Sequence, residues 1–122
     1  MNLNDAQYLL LGTLRKNGRM VETPVWFAEQ QGNYYMFSEG KAGKVKRLKN
    51  FSDASLAPCT VSGKPLGEKV VAEAFLLDEE ESRVAYKALL AKYGWKMKAL
   101  DCASRIARKI NNRAFIVARL KD

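Results

Sequence analysis

The alternation of apolar and polar residues divides much of the chain into short β-strands. Asn17-Gly18 joins the first two apolar segments, and this dipeptide favours a tight hairpin turn. A second short turn, which contains Gly32, leads into the third segment. Segments rich in β-branched and aromatic residues lie at 8–15, 19–29, 34–37, 56–61, 69–77 and 114–120. The pattern predicts an antiparallel meander followed by further strands.

Three other segments have the three- and four-residue spacing that is typical of helices. In 42–50, Val45 and Leu48 share one side of a short helix. Residues 78–93 begin with an acidic turn that resembles a capping box and end at Gly94. One apolar stripe predicts a last helix, and its members are Leu100, Ala103, Ile106, Ala107 and Ile110.

The number and order of these elements favour a barrel. Antiparallel strands with helices inserted late in the chain are best accommodated when the sheet closes, because closure removes exposed sheet edges. A length of 122 residues fits one domain that spans 1–122. We therefore expect a mainly β fold, a β-barrel with inserted helices.

Composition excludes several kinds of catalytic site. The chain has no histidine, which removes Ser/His and Cys/His hydrolytic centres, the usual zinc sites and imidazole acid–base chemistry. Cys59 and Cys102 belong to no ligand motif, so we interpret both as packing residues in a reducing compartment. The polar start of the chain matches no signal peptide, and a cytoplasmic location is expected.

The formal charge of +8 predicts an anionic partner without specifying which one. Nucleic acid, a membrane surface, a phosphorylated cofactor and polyglutamate all fit this charge. The basic residues of the last predicted helix are most simply explained as a solvated face, and they are Lys98, Arg105, Arg108 and Lys109.

Two local features indicate where a ligand could bind. Pro24 falls inside the second strand, where it cannot donate a ladder hydrogen bond, so the strand should be an edge, a bulge or a split at this point. Residues 38–43 then connect a strand to a helix through Gly40 and Gly43, with Lys44 following, which is compatible with a phosphate site. A tolerated edge proline and a solvated basic helix are the simpler alternatives.

Trp26 and Trp95 are the two tryptophans of the chain. Either indole could stack on a planar ring of a ligand, but tryptophan is equally ordinary in cores and interfaces. The sequence alone leaves both interpretations open.

Three segments in order, 13–18, 23–27 and 44–48, resemble the pyridoxamine 5′-phosphate oxidase-like FMN-binding split-barrel superfamily. The class that they resemble most is that of F420-dependent oxidoreductases. The later segments 57–59 and 92–94 are similar to that class as well, so the resemblance covers nearly the whole chain.

The resemblance implies a homodimer of six-stranded antiparallel Greek-key split barrels, with two F420 or FMN sites at the subunit interface. It places 23–28 beside the ring system, Phe37 and Ser38 near the ribityl chain, and Lys44 on the cofactor phosphate, with Lys41 and Arg47 as helpers. The cofactor-binding residues expected in this way are Thr23, Pro24, Val25, Trp26, Phe27, Ala28, Phe37, Ser38, Lys41, Lys44 and Arg47.

The chain departs from the true oxidases at positions that bind their substrate. Thr23 and Ala28 stand where those enzymes carry an arginine and a lysine, and the substrate-binding arginine and histidine of their C-terminus have no counterpart. Synthesis of pyridoxal phosphate is therefore not expected. The choice between FMN and F420 stays open, because the basic residues suit a phosphate and a polyglutamate tail alike.

The resemblance implies hydride transfer to a small unsaturated organic substrate, and we assign no catalytic side chain and no metal ligand. Two alternatives remain. One is a carrier of flavin, deazaflavin or haem with the same fold, although the lack of histidine weakens axial haem ligation. The other is a basic barrel that binds single-stranded nucleic acid on aromatic platforms, which would be Trp26, Tyr34, Tyr35 and Phe37.

Overall fold

In a computed structural model that describes residues 3–39, 42–94 and 113–121, six antiparallel strands close into one barrel. In chain order the strands are β1 (Tyr8–Leu14), β2 (Met20–Gln30), β3 (Asn33–Glu39), β4 (Asp53–Cys59), β5 (Val70–Leu76) and β6 (Arg113–Leu120). Their order around the barrel is β1, β2, β3, β6, β5, β4, and β4 pairs again with β1. The expected six-stranded antiparallel barrel is confirmed.

Alternation along each strand places one set of side chains inside the barrel. Leu9 and Leu11 of β1 face the interior and are fully buried, because successive residues of a strand point to opposite sides of the sheet. Leu10 points outward and is nevertheless buried, since it packs against Ala57 and Cys59 of β4. The large interior side chains are Leu9, Leu11, Phe27, Met36, Leu56 and Ile116.

The barrel is split along β2, which changes its pairing partner partway along its length. Residues Met20 to Trp26 pair with β1, whereas Phe27 to Gln30 pair with β3. Pro24 lies in the first of these halves, opposite Leu10 of β1, and this half pairs with no second strand within the described residues. The missing N–H of proline therefore interrupts no ladder, and of the predicted alternatives of an edge, a bulge or a split, this half of β2 has a free edge where the sheet splits.

Two helices pack on the barrel. Helix α1 (Gly43–Asn50) follows β3, lies against β1 and β5, and buries Val45 and Leu48 as their spacing predicts. Helix α2 (Glu79–Tyr93) covers the outer face of β2, β3 and β6.

The start and end of α2 also agree with the sequence. The Asp78 carboxylate accepts a hydrogen bond from Glu81 N–H at 2.8 Å, which satisfies a free donor of the first turn. Gly94 ends the helix with a φ of 55°. None of the helices in the described part of the chain is long and apolar enough to cross a membrane.

The main difference from the predicted boundaries concerns β4. The apolar run at 56–61 predicts a strand there, but the observed strand is Asp53–Cys59. Polar residues at its start pair with β5, whereas Thr60 N–H bonds to Lys64 O in a tight turn that leaves Val61 66% exposed. Strand pairing thus overrides β propensity at Val61. The helix predicted around 100–110 lies outside the described residues.

Candidate functional site

The two basic residues expected to hold a phosphate lie on α1, the helix that packs against β1 and β5. A hydrogen bond of 3.0 Å from Ala42 N–H to Glu39 O ties the start of α1 to the end of β3. Lys44 and Arg47 are both half-buried. Arg47 Nε donates to Thr13 Oγ1 at 2.6 Å, so a fully buried hydroxyl of β1 orients the guanidinium.

No acidic side chain of the described residues compensates the charge of these two cations. In the described residues the ion pairs involve Lys69, Arg83 and Lys121, whereas neither Lys44 nor Arg47 reaches a carboxylate. Burial, with a further contribution from the charge of Arg47, lowers the pKa of Lys44. Burial and the charge of nearby Arg15 lower the pKa of Arg47. A bound anion would relieve both the desolvation and the repulsion between like charges.

Thr23 lies in the half of β2 that pairs only with β1, and its side-chain oxygen has no hydrogen-bond partner among the described residues. This oxygen, Oγ1, is buried. Such an atom costs about 1 to 3 kcal/mol when it stays unsatisfied. Thr23 pairs with Leu11 of β1, so its side chain shares the interior face of the barrel. The hydroxyl is a donor or acceptor that a ligand could use.

The remaining expected cofactor-binding residues of β2 divide between the two faces of the sheet. Val25 and Phe27 belong to the barrel core, with 7% and 1% of their surfaces exposed. Trp26 and Ala28 lie on the outer face, beneath α2, and Pro24 is exposed there. Val25 and Phe27 can therefore border a ligand in the split chiefly through their backbone.

On β3, Phe37 and Ser38 also have opposite orientations. Phe37 packs under α2 with other aromatic side chains on the outer face of the sheet. Its ring centroid lies 6.2 Å from that of Trp26, and the two rings are edge-on. Ser38 is 8% exposed, and its hydroxyl donates to Glu39 O at 3.2 Å. Both residues lie where β3 pairs with β6 and no longer with β2. Lys41 lies outside the described residues.

Within the described residues, the half of β2 that pairs only with β1 ends at Trp26. Just beyond it, the hydroxyl of Tyr93 fills the gap between β1 and β2. The ladder between these strands stops at Tyr8 and Trp26, so Gln7 and Phe27 would form the next pair. The Tyr93 oxygen accepts from Phe27 N–H at 3.1 Å, and its O–H points to Phe27 O at 2.9 Å and Gln7 O at 3.2 Å. Burial raises the pKa of Tyr93 to about 12.

The Tyr93 ring also supports Trp26. The two rings stack with centroids 4.6 Å apart and planes 17° from parallel. The stacking surface that Trp26 was expected to offer is therefore partly occupied within the chain. Beside this pair a pocket of about 220 Å³ opens, lined by Gln7, Tyr8, Trp26, Lys92 and Tyr93.

Solved structures with this architecture include proteins of different activities. HutZ, the heme storage protein from Vibrio cholerae, is 14% identical and has a TM-score of 0.72, with 100% of this chain and 92% of that chain covered. A proposed 5-nitroimidazole antibiotic resistance protein from Bacteroides thetaiotaomicron is 13% identical with a TM-score of 0.67, covering 96% and 74% of the two chains. A proposed pyridoxamine 5′-phosphate oxidase from Listeria innocua is 11% identical with a TM-score of 0.63, covering 98% and 88%.

The chain has the pyridoxamine-oxidase-like split-barrel fold. No protein-family model matches the sequence, and no curated protein matches it. At identities of 11 to 14% the likeness to these structures establishes the architecture and leaves the ligand to be argued from the residues.

Thr13, Gln7 and Lys92 were not among the residues that sequence reasoning assigned to a site. Thr13 has one usable signal, because it is a polar residue at an inward position of an otherwise apolar strand. Lys92 belongs to segment 92–94 of the family resemblance, which assigned it no role in binding, and Gln7 has no signal. Both come to the pocket only through the docking of α2 beside β1.

We expect Tyr93→Phe to lower the free energy of unfolding by about 1 to 3 kcal/mol, because the N–H and C=O of Phe27 lose their hydroxyl partner. The folded state keeps the Tyr93 phenol neutral, with its pKa moved from 10.0 to about 12. Its contribution is therefore complete below pH 10 and is lost as the pH rises towards 12. Urea unfolding of both proteins across this range measures the effect.

Tyr35→Phe is the matched control, since the Tyr35 hydroxyl has no hydrogen bond among the described residues and its ring packs with the same aromatic side chains under α2. This variant should change stability by less than about 0.5 kcal/mol. Equal stability of Tyr93→Phe and Tyr35→Phe would contradict the role of the Tyr93 hydroxyl.

Proposed function

We propose that the chain is a cytoplasmic F420- or FMN-dependent oxidoreductase that transfers a hydride to a small unsaturated organic substrate. The observation that carries this proposal is the pair of half-buried cations on α1, Lys44 and Arg47, which no carboxylate of the described residues neutralises. Half-buried cations without acidic partners lose part of their solvation, and an anion that completes the site would offset this cost. A cofactor phosphate is such an anion.

The described residues suit this group in position and chemistry. Lys44 and Arg47 would hold the phosphate, and Thr13 would keep the Arg47 guanidinium in place through its 2.6 Å hydrogen bond. The unpartnered Oγ1 of Thr23 would gain a hydrogen-bond partner. The backbone of 23–28 would border the ring system, with Phe37 and Ser38 at the neighbouring strand.

Such a cofactor, when bound, supplies the hydride chemistry, and the protein supplies binding, orientation and exclusion of water. No side chain is proposed as a proton donor. Tyr93 is an unsuitable one, because its hydroxyl bonds to the backbone and its pKa is raised to about 12. Glu39 and Tyr35 have no feature in the structure that favours such a role.

The alternative is a carrier of flavin, deazaflavin or haem without turnover. The name of the Vibrio cholerae neighbour, a heme storage protein, supports this alternative at the level of the fold. Haem would require an axial ligand other than histidine, since the sequence contains none. Binding of single-stranded nucleic acid has less support, because Tyr34 is buried in the barrel core and Trp26 and Phe37 lie under α2.

Titration with FMN, F420 and haemin, followed by visible absorbance, tests the proposal. We expect FMN or F420 to bind, and the reduced, protein-bound cofactor to be reoxidised by a member of a panel of quinones, tetrapyrroles and enones faster than free cofactor is. Stopped-flow absorbance measures this reoxidation. If FMN or F420 binds but none of the panel accelerates reoxidation, the carrier replaces the enzyme. Selective binding of haemin would support a haem carrier instead.

We expect Lys44→Ala to weaken cofactor binding about 10- to 100-fold, because a charge-assisted hydrogen bond is worth roughly 1.5 to 3 kcal/mol. Lys46→Ala is the matched control, since Lys46 is exposed on the same helix. Dissociation constants measured by fluorescence titration at moderate salt should change only for Lys44→Ala. Equal effects of the two variants would indicate a general influence of positive charge.

Thr23→Val is a second variant for the same measurement of cofactor binding. The change is nearly isosteric and removes the unpartnered hydroxyl, so the stability of the cofactor-free protein should stay the same or rise. Cofactor binding should nevertheless weaken. A variant that is less stable without cofactor and binds it normally would remove Thr23 from the proposed site.

We also propose that the chain forms a homodimer, as the family resemblance implies. Apolar side chains on the outer surface of β5 support this assembly, because Val71 and Phe75 are 65% and 39% exposed. Sedimentation at micromolar concentration with cofactor bound should give twice the 13.7 kDa of one chain. A single species with the mass of one chain would contradict the dimer.

A further inference from the structure

The pocket beside Trp26 and Tyr93 has a chemical character that the proposed cofactor site does not use. Its volume is about 220 Å³, and three of the five described residues that line it are aromatic. A fourth, Lys92, brings a positive charge, and the described lining is otherwise neutral. The combination of planar walls and one cation suits a ligand that is both planar and anionic.

Lys92 faces two aromatic rings and has no acidic partner among the described residues. Its Nζ lies 3.4 Å from the centroid of the Phe27 ring and 5.3 Å from that of Tyr93. Within residues 3–39, 42–94 and 113–121, no carboxylate pairs with it. A ring face attracts an ammonium group but accepts little of its hydrogen-bonding capacity, because the group has three N–H donors. Lys92 also lines the pocket, so a ligand there can accept from the donors that the rings leave unused.

The aromatic walls are held in position before any ligand arrives. Trp26 stacks on Tyr93, and the Tyr93 hydroxyl is bonded to the backbone of Phe27 and Gln7. Tyr8 and Trp26 form the last cross-strand pair between β1 and β2. A preformed wall reduces the entropy lost on binding, which favours a small ligand with few contacts.

The volume limits the ligand to about one ring. An engineered apolar cavity of about 150 Å³ accommodates benzene, so about 220 Å³ holds a single six-membered ring with one small substituent. One ammonium group matches one negative charge, whereas phosphate groups are usually held by several donors. We infer that this pocket binds a small aromatic monocarboxylate, with the carboxylate on Lys92 and the ring against Trp26 and Tyr8. This inference does not rest on the proposed cofactor.

Calorimetry with benzoate and its neutral analogue benzyl alcohol tests the inference on the full chain without added cofactor. We expect benzoate to bind at least about tenfold more tightly, because only benzoate gains the charge-assisted hydrogen bond. Lys92→Met should abolish this preference while it keeps the length of the side chain. Lys87→Met is the matched control, since Lys87 is exposed on the same helix, and it should retain the preference.

Two further measurements separate the pocket from other sites. In the wild-type protein, benzoate should shift the assigned indole N–H resonance of Trp26, and this readout does not depend on whether Lys92→Met folds. Lys44→Ala should leave benzoate binding unchanged, so failure here is distinct from failure of the cofactor proposal. Acetate should bind far more weakly than benzoate, because it has no ring to place on the aromatic walls.

The inference is overturned if benzoate and benzyl alcohol bind equally, if Lys92→Met keeps the preference, or if acetate matches benzoate. It is also overturned if Lys44→Ala removes benzoate binding, because benzoate would then bind beside Lys44 on α1 and not in the pocket.

Discussion

The change of partner along β2 is the constraint on which the rest of the molecule depends. A closed barrel requires every strand to pair on both edges, yet the half of β2 from Met20 to Trp26 pairs only with β1 among the described residues. An edge inside a barrel exposes backbone groups that need partners. Pro24 removes one donor from this half, and the Tyr93 hydroxyl supplies a partner for Phe27 at its end. The split is therefore stabilised at particular residues and is not a local defect of the sheet.

The same split separates two regions of different chemistry. Near α1 lie Lys44 and Arg47, whose pKa values are lowered by burial and by neighbouring positive charge. Near the end of α2, Lys92 is the one cation among the described residues that line the pocket with Trp26 and Tyr93. The first region suits a phosphate, and the second suits a planar anion with one charge. Both regions touch β1, because Arg47 bonds to Thr13 and Tyr8 lines the pocket.

Neighbours of the same fold include a heme storage protein and a proposed pyridoxamine 5′-phosphate oxidase, so architecture does not identify the ligand. The type of ligand therefore has to be inferred from the residues of this chain. The chain has no histidine, and among the described residues Lys44 and Arg47 have no carboxylate partner and the Thr23 hydroxyl has no hydrogen-bond partner. These features favour a ligand held through phosphate and hydrogen bonds over one held by an axial imidazole.

Local patterns determined much of this architecture. The hairpin at Asn17-Gly18, the limits of α2 at Asp78 and Gly94, and the split at Pro24 follow from turn preferences, helix capping and the missing N–H of proline, which act within a few residues. Lys44 and Arg47 could likewise be proposed from their place after a glycine-containing loop. Tertiary structure alone decided which side chains meet. Arg47 reaches Thr13 across 34 positions, and Tyr93 reaches Phe27 across 66. Barrel closure and the docking of α2 bring these residues together, and no periodicity along the chain encodes such distances.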